Sequence, residues 1–270
     1  MKHLYILLAS FLAVQLTSCT STPKEDTPVE SQEAVEAPKS DLFYHYSIWY
    51  AFVNRIFDGE LTSGELKTKG DMALGSFDLL DGELIMLDGI LYRATQDGVV
   101  HIVDEAEAKV AYVNAAFFDN EKSFKLDSVG SYDELRQQIN SQLPSRNIFY
   151  AFKITGDFKK MKCGGLHKQE KPFNEGLDVL IPNRPIFERE NFKGTMVGFF
   201  CPDFIGEINV AGYHLHFVSD DQQFAGHVME FEAANLEIQM DMIYQYQFDL
   251  PTSKEYLDGA FDKTFQYQKK

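Results

Sequence analysis

The apolar positions of the chain fall into runs whose period changes along its length. Leu42 to Phe57 is an aromatic-rich stretch that ends at the Asp58-Gly59 turn, and its length predicts a helix. Thr62 precedes Glu65 at the spacing of a capping box, which predicts a short helix over 62–69. Beyond it, short apolar runs are cut by Asp81-Gly82, Asp88-Gly89 and Asp97-Gly98. Asp-Gly between apolar runs signals a tight hairpin, so 77–103 reads as an antiparallel meander. Tyr132 to Leu143 is amphipathic and predicted helical, stopped by Pro144. Strands are predicted over 148–154, 195–200, 207–218, 227–233 and 236–248. Hairpins rather than βαβ units make the fold class α+β. The expected form is sheet-dominated, with mixed and antiparallel sheets in two layers or subdomains and a few helices. The layers are expected to meet near residues 144–156.

Composition sharpens this picture. The 23 Phe and 13 Tyr favour sheet, and a formal net charge of −16 repels phosphate backbones and excludes nucleic acid as a partner. Lys2, an apolar run from Leu4 to Leu16 and Leu16-Thr17-Ser18-Cys19 have the order of an export signal. The run is shorter than the about 20 residues that a spanning helix needs. Its ending resembles a bacterial lipoprotein signal, in which Cys19 becomes the acylated N-terminus. Residues 1–18 are therefore expected to be a signal peptide and 41–270 the folded domain. Residues 19–40, whose stretch after Cys19 lacks any aromatic residue, are expected to form a flexible tether. Such a protein is exported and attached to the membrane through its lipid. Cys163 and Cys201 are too few for a disulfide framework and are expected to be free or buried thiols.

The candidate chemistry lies in Gly212-Tyr213-His214-Leu215-His216-Phe217, followed by Gly226-His227-Val228. On a strand, residues i and i+2 share a face about 6.6 Å apart, so two imidazoles can tilt toward one ion. Ten residues separate His216 from His227, enough for one turn and a return on the paired strand. Three neutral imidazoles with an open fourth position are a catalytic zinc arrangement. Spacing alone leaves a second reading open, in which one histidine is a core residue and two lie on a hairpin surface.

Five stretches carry a resemblance to a known family: GDMALGSFDLLDGELIMLDGILY (70–92), NSQLPSRNIFYAFKITGDF (140–158), QEKPF (169–173), GTMVGFFCPDF (194–204) and INVAGYHLHFVSDD (208–221). Over residues 41–261 the chain resembles the acetolactate decarboxylases. That resemblance implies an α+β fold with Zn²⁺ held by three histidines, which match His214, His216 and His227. It implies conversion of 2-acetolactate to acetoin and CO₂, with a 2-hydroxy-3-oxo acid as substrate. Departure of CO₂ leaves an enediolate, which a Lewis acid stabilises and an acid–base group must then protonate. Glu83 matches the family carboxylate of the Leu-Asp-Gly-Glu motif; from the residues alone it is a solvated hairpin glutamate. Ser76 stands where the family commonly has Thr, and keeps the hydroxyl. The partners expected are this substrate, the membrane through Cys19, and a second copy of the chain in a homodimer.

The chain departs from the family at one central position. Counting eight residues on from Gly156, or five back from Gln169, places the family's arginine at Gly164. Residues 161–165 accordingly read as a rebuilt loop, with Lys162, His167 or Lys168 as stand-ins. Past Pro251, Glu255, Asp258 and Asp262 are available where the family brings a tail carboxylate to the site, and none is assigned. The alternative function is an exported zinc-binding lipoprotein on a decarboxylase fold, with lost or altered activity.

Overall fold

Apolar alternation and turn chemistry produce two facing sheets in the computed structural model, which describes residues 41–264. The expected signal peptide, the acylation at Cys19 and the tether lie outside the described residues. The first sheet holds β1 (Leu42–Tyr46), β2 (Leu61–Thr62), β3 (Met72–Phe77), β4 (Glu83–Leu87), β5 (Ile90–Ala94), β6 (Val100–Ile102) and β7 (Lys109–Ala116). The second holds β8 (Lys122–Val129), β9 (Phe149–Gly164), β10 (Ile186–Cys201), β11 (Gly212–Ser219) and β12 (Ala225–Ile243). The chain then returns to the first sheet as β13 (Gln245–Asp249), parallel to β1, giving the order β13-β1-β7-β3-β4-β5-β6 with β2 on β7. The sheets are therefore mixed and antiparallel, with few helices, and the class is α+β as expected.

The meander across 77–103 forms as predicted, because Gly82, Gly89 and Gly98 take the positive φ that its turns require. The capping box also forms. Thr62 Oγ1 accepts the Glu65 N–H at 3.2 Å, and Glu65 Oε2 accepts the Thr62 N–H at 2.9 Å, at the start of the helix Ser63–Lys67. Tyr132–Asn140 is helical and buries Leu135 and Ile139.

Three expectations are corrected. Leu42–Tyr46 is a strand rather than the start of a helix, and only Trp49–Val53 is helical. Phe43 and Tyr44 are buried between neighbouring strands, a setting in which aromatic side chains favour sheet. Residues 207–211 are not strand, and the strands expected at 227–233 and 236–248 become β12, bulged near Asn235, and β13. Met161–Gly164 is not a loop. It is the end of β9, paired with both β10 and β12.

The two layers meet through Phe43 on one side and Phe149 and Phe199 on the other, with ring centroids 5.5 and 4.7 Å apart. Phe149 and Ala151 of this interface fall within the expected meeting region. In the second sheet β11 pairs with both β10 and β12, so β9 to β12 curl into a closed ring. Phe158, Phe217, Phe231 and Met196 belong to the core packed against that ring. Cys163 and Cys201 are both free and buried.

Candidate metal centre

The β11–β12 hairpin brings the three histidines together. His214 and His216 share a face of β11, and His216 lies directly opposite His227 in the ladder. Gly226, with φ +146, permits the close approach of this hairpin to the end of β9. A Cβ there would lie 3.0 Å from the Gly164 carbonyl oxygen. The three ring centroids are 5.0–5.3 Å apart, and one ligand nitrogen from each ring lies within 4.8 Å of the others.

The nitrogens suit a metal ion. His214 Nε2 and His227 Nδ1 are 3.2 Å apart. Two ligands of one tetrahedral zinc, each about 2.0–2.1 Å from it, are about 3.4 Å apart. The Leu84 carbonyl accepts a hydrogen bond from His216 Nδ1 at 2.9 Å, which leaves Nε2 bare. His216 Nε2 is buried without a hydrogen-bond partner. Buried polar atoms are seldom left so, and a bound cation satisfies a bare nitrogen. Burial lowers the pKa of all three, with His214 near 4 and the other two well below the usual 6.5. The imidazoles are thus neutral at pH 7, the form that binds metal. This triple-histidine group could hold a metal ion.

The facing sheet supplies the carboxylate. Glu83 begins β4, one residue before the Leu84 carbonyl that orients His216, and its Oε2 is 3.5 Å from His216 Nε2. It is only 9% exposed. Burial pushes its pKa up to about 8, against the opposing charge of Arg184 and the hydrogen bond donated by the Leu166 N–H. Ser76 on β3 lies opposite Glu83 in the ladder, so its side chain shares that face. The Ser76 hydroxyl donates locally to the Phe77 carbonyl at 3.3 Å.

The stand-ins considered for the missing arginine are occupied elsewhere. Lys162 pairs with Glu188 at 2.8 Å, His167 Nδ1 is 3.1 Å from Gln96 Oε1, and Lys168 pairs with Asp81 at 3.0 Å. Glu255 pairs with Lys171, and Asp258 with Lys254. Sequence reasoning missed Arg184, whose charge acts on Glu83, His214 and His227. It sits in a short Asn-Arg-Pro turn that carries no motif.

Known proteins resemble this chain in sequence and fold. The family profile described as Alpha-acetolactate decarboxylase matches residues 43–263. A protein of that name from Methanosarcina mazei is 33% identical, covering 84% of this chain and 78% of that protein. One from Lactococcus lactis subsp. lactis is 36% identical over 77% of this chain and 87% of its own. The crystal structure of alpha-acetolactate decarboxylase from Bacillus subtilis strain 168 superposes with a TM-score of 0.79 at 31% identity, covering 82% of this chain and 94% of that one. This chain belongs to the alpha-acetolactate decarboxylase family, whose named members are carboxy-lyases.

Proposed function

We propose that the protein is a zinc-dependent carboxy-lyase that converts 2-acetolactate to acetoin and CO₂. The observation that carries the reading is the convergence of three neutral imidazoles, His216 buried and His214 and His227 half-buried, beside the protonatable carboxyl of Glu83. Three uncharged ligands leave a divalent ion's charge uncompensated and a coordination position open, as in catalytic rather than structural zinc sites. When held by His214, His216 and His227, zinc supplies a Lewis acid for the oxygen on which charge develops.

The chain's own residues account for the remaining steps. Breaking the bond to the carboxylate releases CO₂ and leaves its electron pair in an enediolate. One proton must then reach carbon to give acetoin. Glu83 is the group assigned to hold and deliver that proton, because burial keeps its carboxyl protonated near neutrality in the metal-free protein. A bound cation beside it draws the pKa back down, so the proton is held less tightly when the site is loaded. Ser76, on the same face, is assigned a hydrogen bond to substrate. Leu84 holds the His216 ring in the tautomer that keeps Nε2 bare.

The test is acetoin formation from racemic acetolactate by the purified protein, with zinc content measured on the same sample. A zinc-loaded protein that made no acetoin would instead favour a zinc-binding lipoprotein on this fold.

The leader sequence supports a position outside the inner membrane, with Cys19 acylated. Cys19→Ser is expected to move the protein from the membrane fraction to the soluble fraction. Unchanged fractionation would refute the anchor.

A further inference from the structure

We infer that Arg184 is the anion-binding group of this site, reaching in over Gly164 to take the substrate's carboxylate. The inference rests on the decarboxylase reading and adds a residue to it. Gly164, at the end of β9, lies opposite His227 in one ladder and opposite Ile186 in the other. It therefore borders the histidines on one side and the approach of the Arg184 turn on the other. A Cβ at 164 would stand 2.8 Å from Arg184 Cδ, 2.9 Å from Met229 Sδ and 3.5 Å from the Pro185 carbonyl oxygen. The stem of Arg184 thus occupies the place where a side chain at 164 would begin. The glycine and the arginine are two halves of one arrangement.

The turn that carries Arg184 is pinned at both ends. Arg184 Nε donates to the Ile181 carbonyl at 3.0 Å, which fixes the plane of the guanidinium. The Gly165 N–H donates to the Pro185 carbonyl at 3.2 Å, which ties the turn to the residue after β9. The side chain is half-buried. A Cβ on the neighbouring Gly165 would lie 3.7 Å from Glu83 Cγ, so the strand end that Arg184 crosses also borders that carboxyl.

Charge then dictates the ligand. Three neutral imidazoles leave the charge of a divalent ion uncompensated, and Arg184 adds a further positive charge beside it. Such a site favours an anion, and the planar, permanently charged guanidinium matches a carboxylate better than an ammonium does. A side chain at position 164 cannot enter this space without displacing the Arg184 stem and the Met229 thioether. Gly164→Arg is therefore expected to weaken the site and not to improve it.

Binding separates this role from catalysis. The probes are 2-hydroxy-2-methylbutanoate, which has the carboxylate but no ketone and cannot decarboxylate, and acetoin, which lacks the carboxylate. Both are titrated calorimetrically into zinc-loaded wild type, Arg184→Gln and Arg184→Lys. Arg184→Gln is expected to weaken the carboxylate probe by about 10- to 150-fold, the usual loss for a hydrogen bond to a charged group. Zinc content and acetoin affinity stay at wild-type levels, and lysine recovers part of the loss. Gly164→Ala, whose methyl would displace the Arg184 stem, is expected to give the same selective loss. It serves if Arg184→Gln does not fold. Equal loss of both probes, loss of zinc, or undiminished carboxylate binding in these variants would overturn the assignment. A wild type that bound the carboxylate probe through Arg184 yet made no acetoin would overturn the decarboxylase reading and leave this one standing.

Discussion

Glu83 is where burial and chemistry oppose each other most directly. A carboxyl that is 9% exposed beside a bare imidazole nitrogen is held protonated by desolvation, with its pKa near 8. Glu83→Gln preserves the shape and can still accept the Leu166 N–H, but it cannot transfer a proton. It is expected to retain one zinc per chain and to lose turnover by about 10²- to 10⁴-fold, read from acetoin formation alongside metal analysis. Wild-type turnover in that variant would remove Glu83 from the chemistry. The histidines were legible because their spacing is local, with two on one strand and the third across a single turn. Glu83 was legible only through the family motif, since the His216 ring that faces it lies more than a hundred residues further along the chain. Arg184 was not legible at all. Its relation to the site passes through the absent Cβ of Gly164, and a missing atom leaves no pattern in a sequence.

At the scale of elements, local chemistry spoke clearly and long-range pairing did not. The Asp-Gly hairpins and the Thr62 capping box are decided within a few residues, and both form. Leu42–Tyr46 has the length and apolar density of either a helix or a strand. It becomes β1 because β7 and β13 lie on either side of it, the latter contributed from some two hundred residues further on. β8 alternates polar and apolar residues on the edge of the second sheet, a weak signal that its pairing with β12 makes good. The long extent of β9 and β10 depends likewise on their mutual register, which carries Gly164 up to His227 and Ile186. Residues 161–165 read as a rebuilt loop because Gly164 stands where the family has arginine. Residues 161–164 are instead the end of a strand, because β10 and β12 pair with them on both sides.

The whole molecule places its centre where two sheets face each other, so neutral histidines and protonated carboxyls are buried together, and this sets its response to pH. In the metal-free protein His45 and His214 titrate near 3 and 4, and His216 and His227 lie well below 6.5. Unfolding frees these four to bind protons below about pH 6.5, so they lower stability as pH falls through that range. Glu83 near 8 and Asp241 near 7 act in the opposite sense. They stay protonated when folded and ionise on unfolding, so they lower stability as pH rises from the ordinary carboxyl range toward 8. Between about pH 4.5 and 6.5 the four histidines outweigh the two carboxyls; above that only the carboxyls remain. The thermal midpoint of chelator-treated protein is therefore expected to peak near pH 6.5, and Glu83→Gln to flatten the decline between pH 7 and 8. A midpoint that climbed steadily to pH 9 would contradict this. The most direct test of zinc-dependent decarboxylation is to titrate Zn²⁺ into chelator-treated protein while following acetoin formed from racemic acetolactate. The account predicts no activity without zinc, a linear rise to a break at one zinc per chain, and no activity at any zinc level in His216→Ala. Full activity in the metal-free protein, or none with one zinc bound, would contradict it.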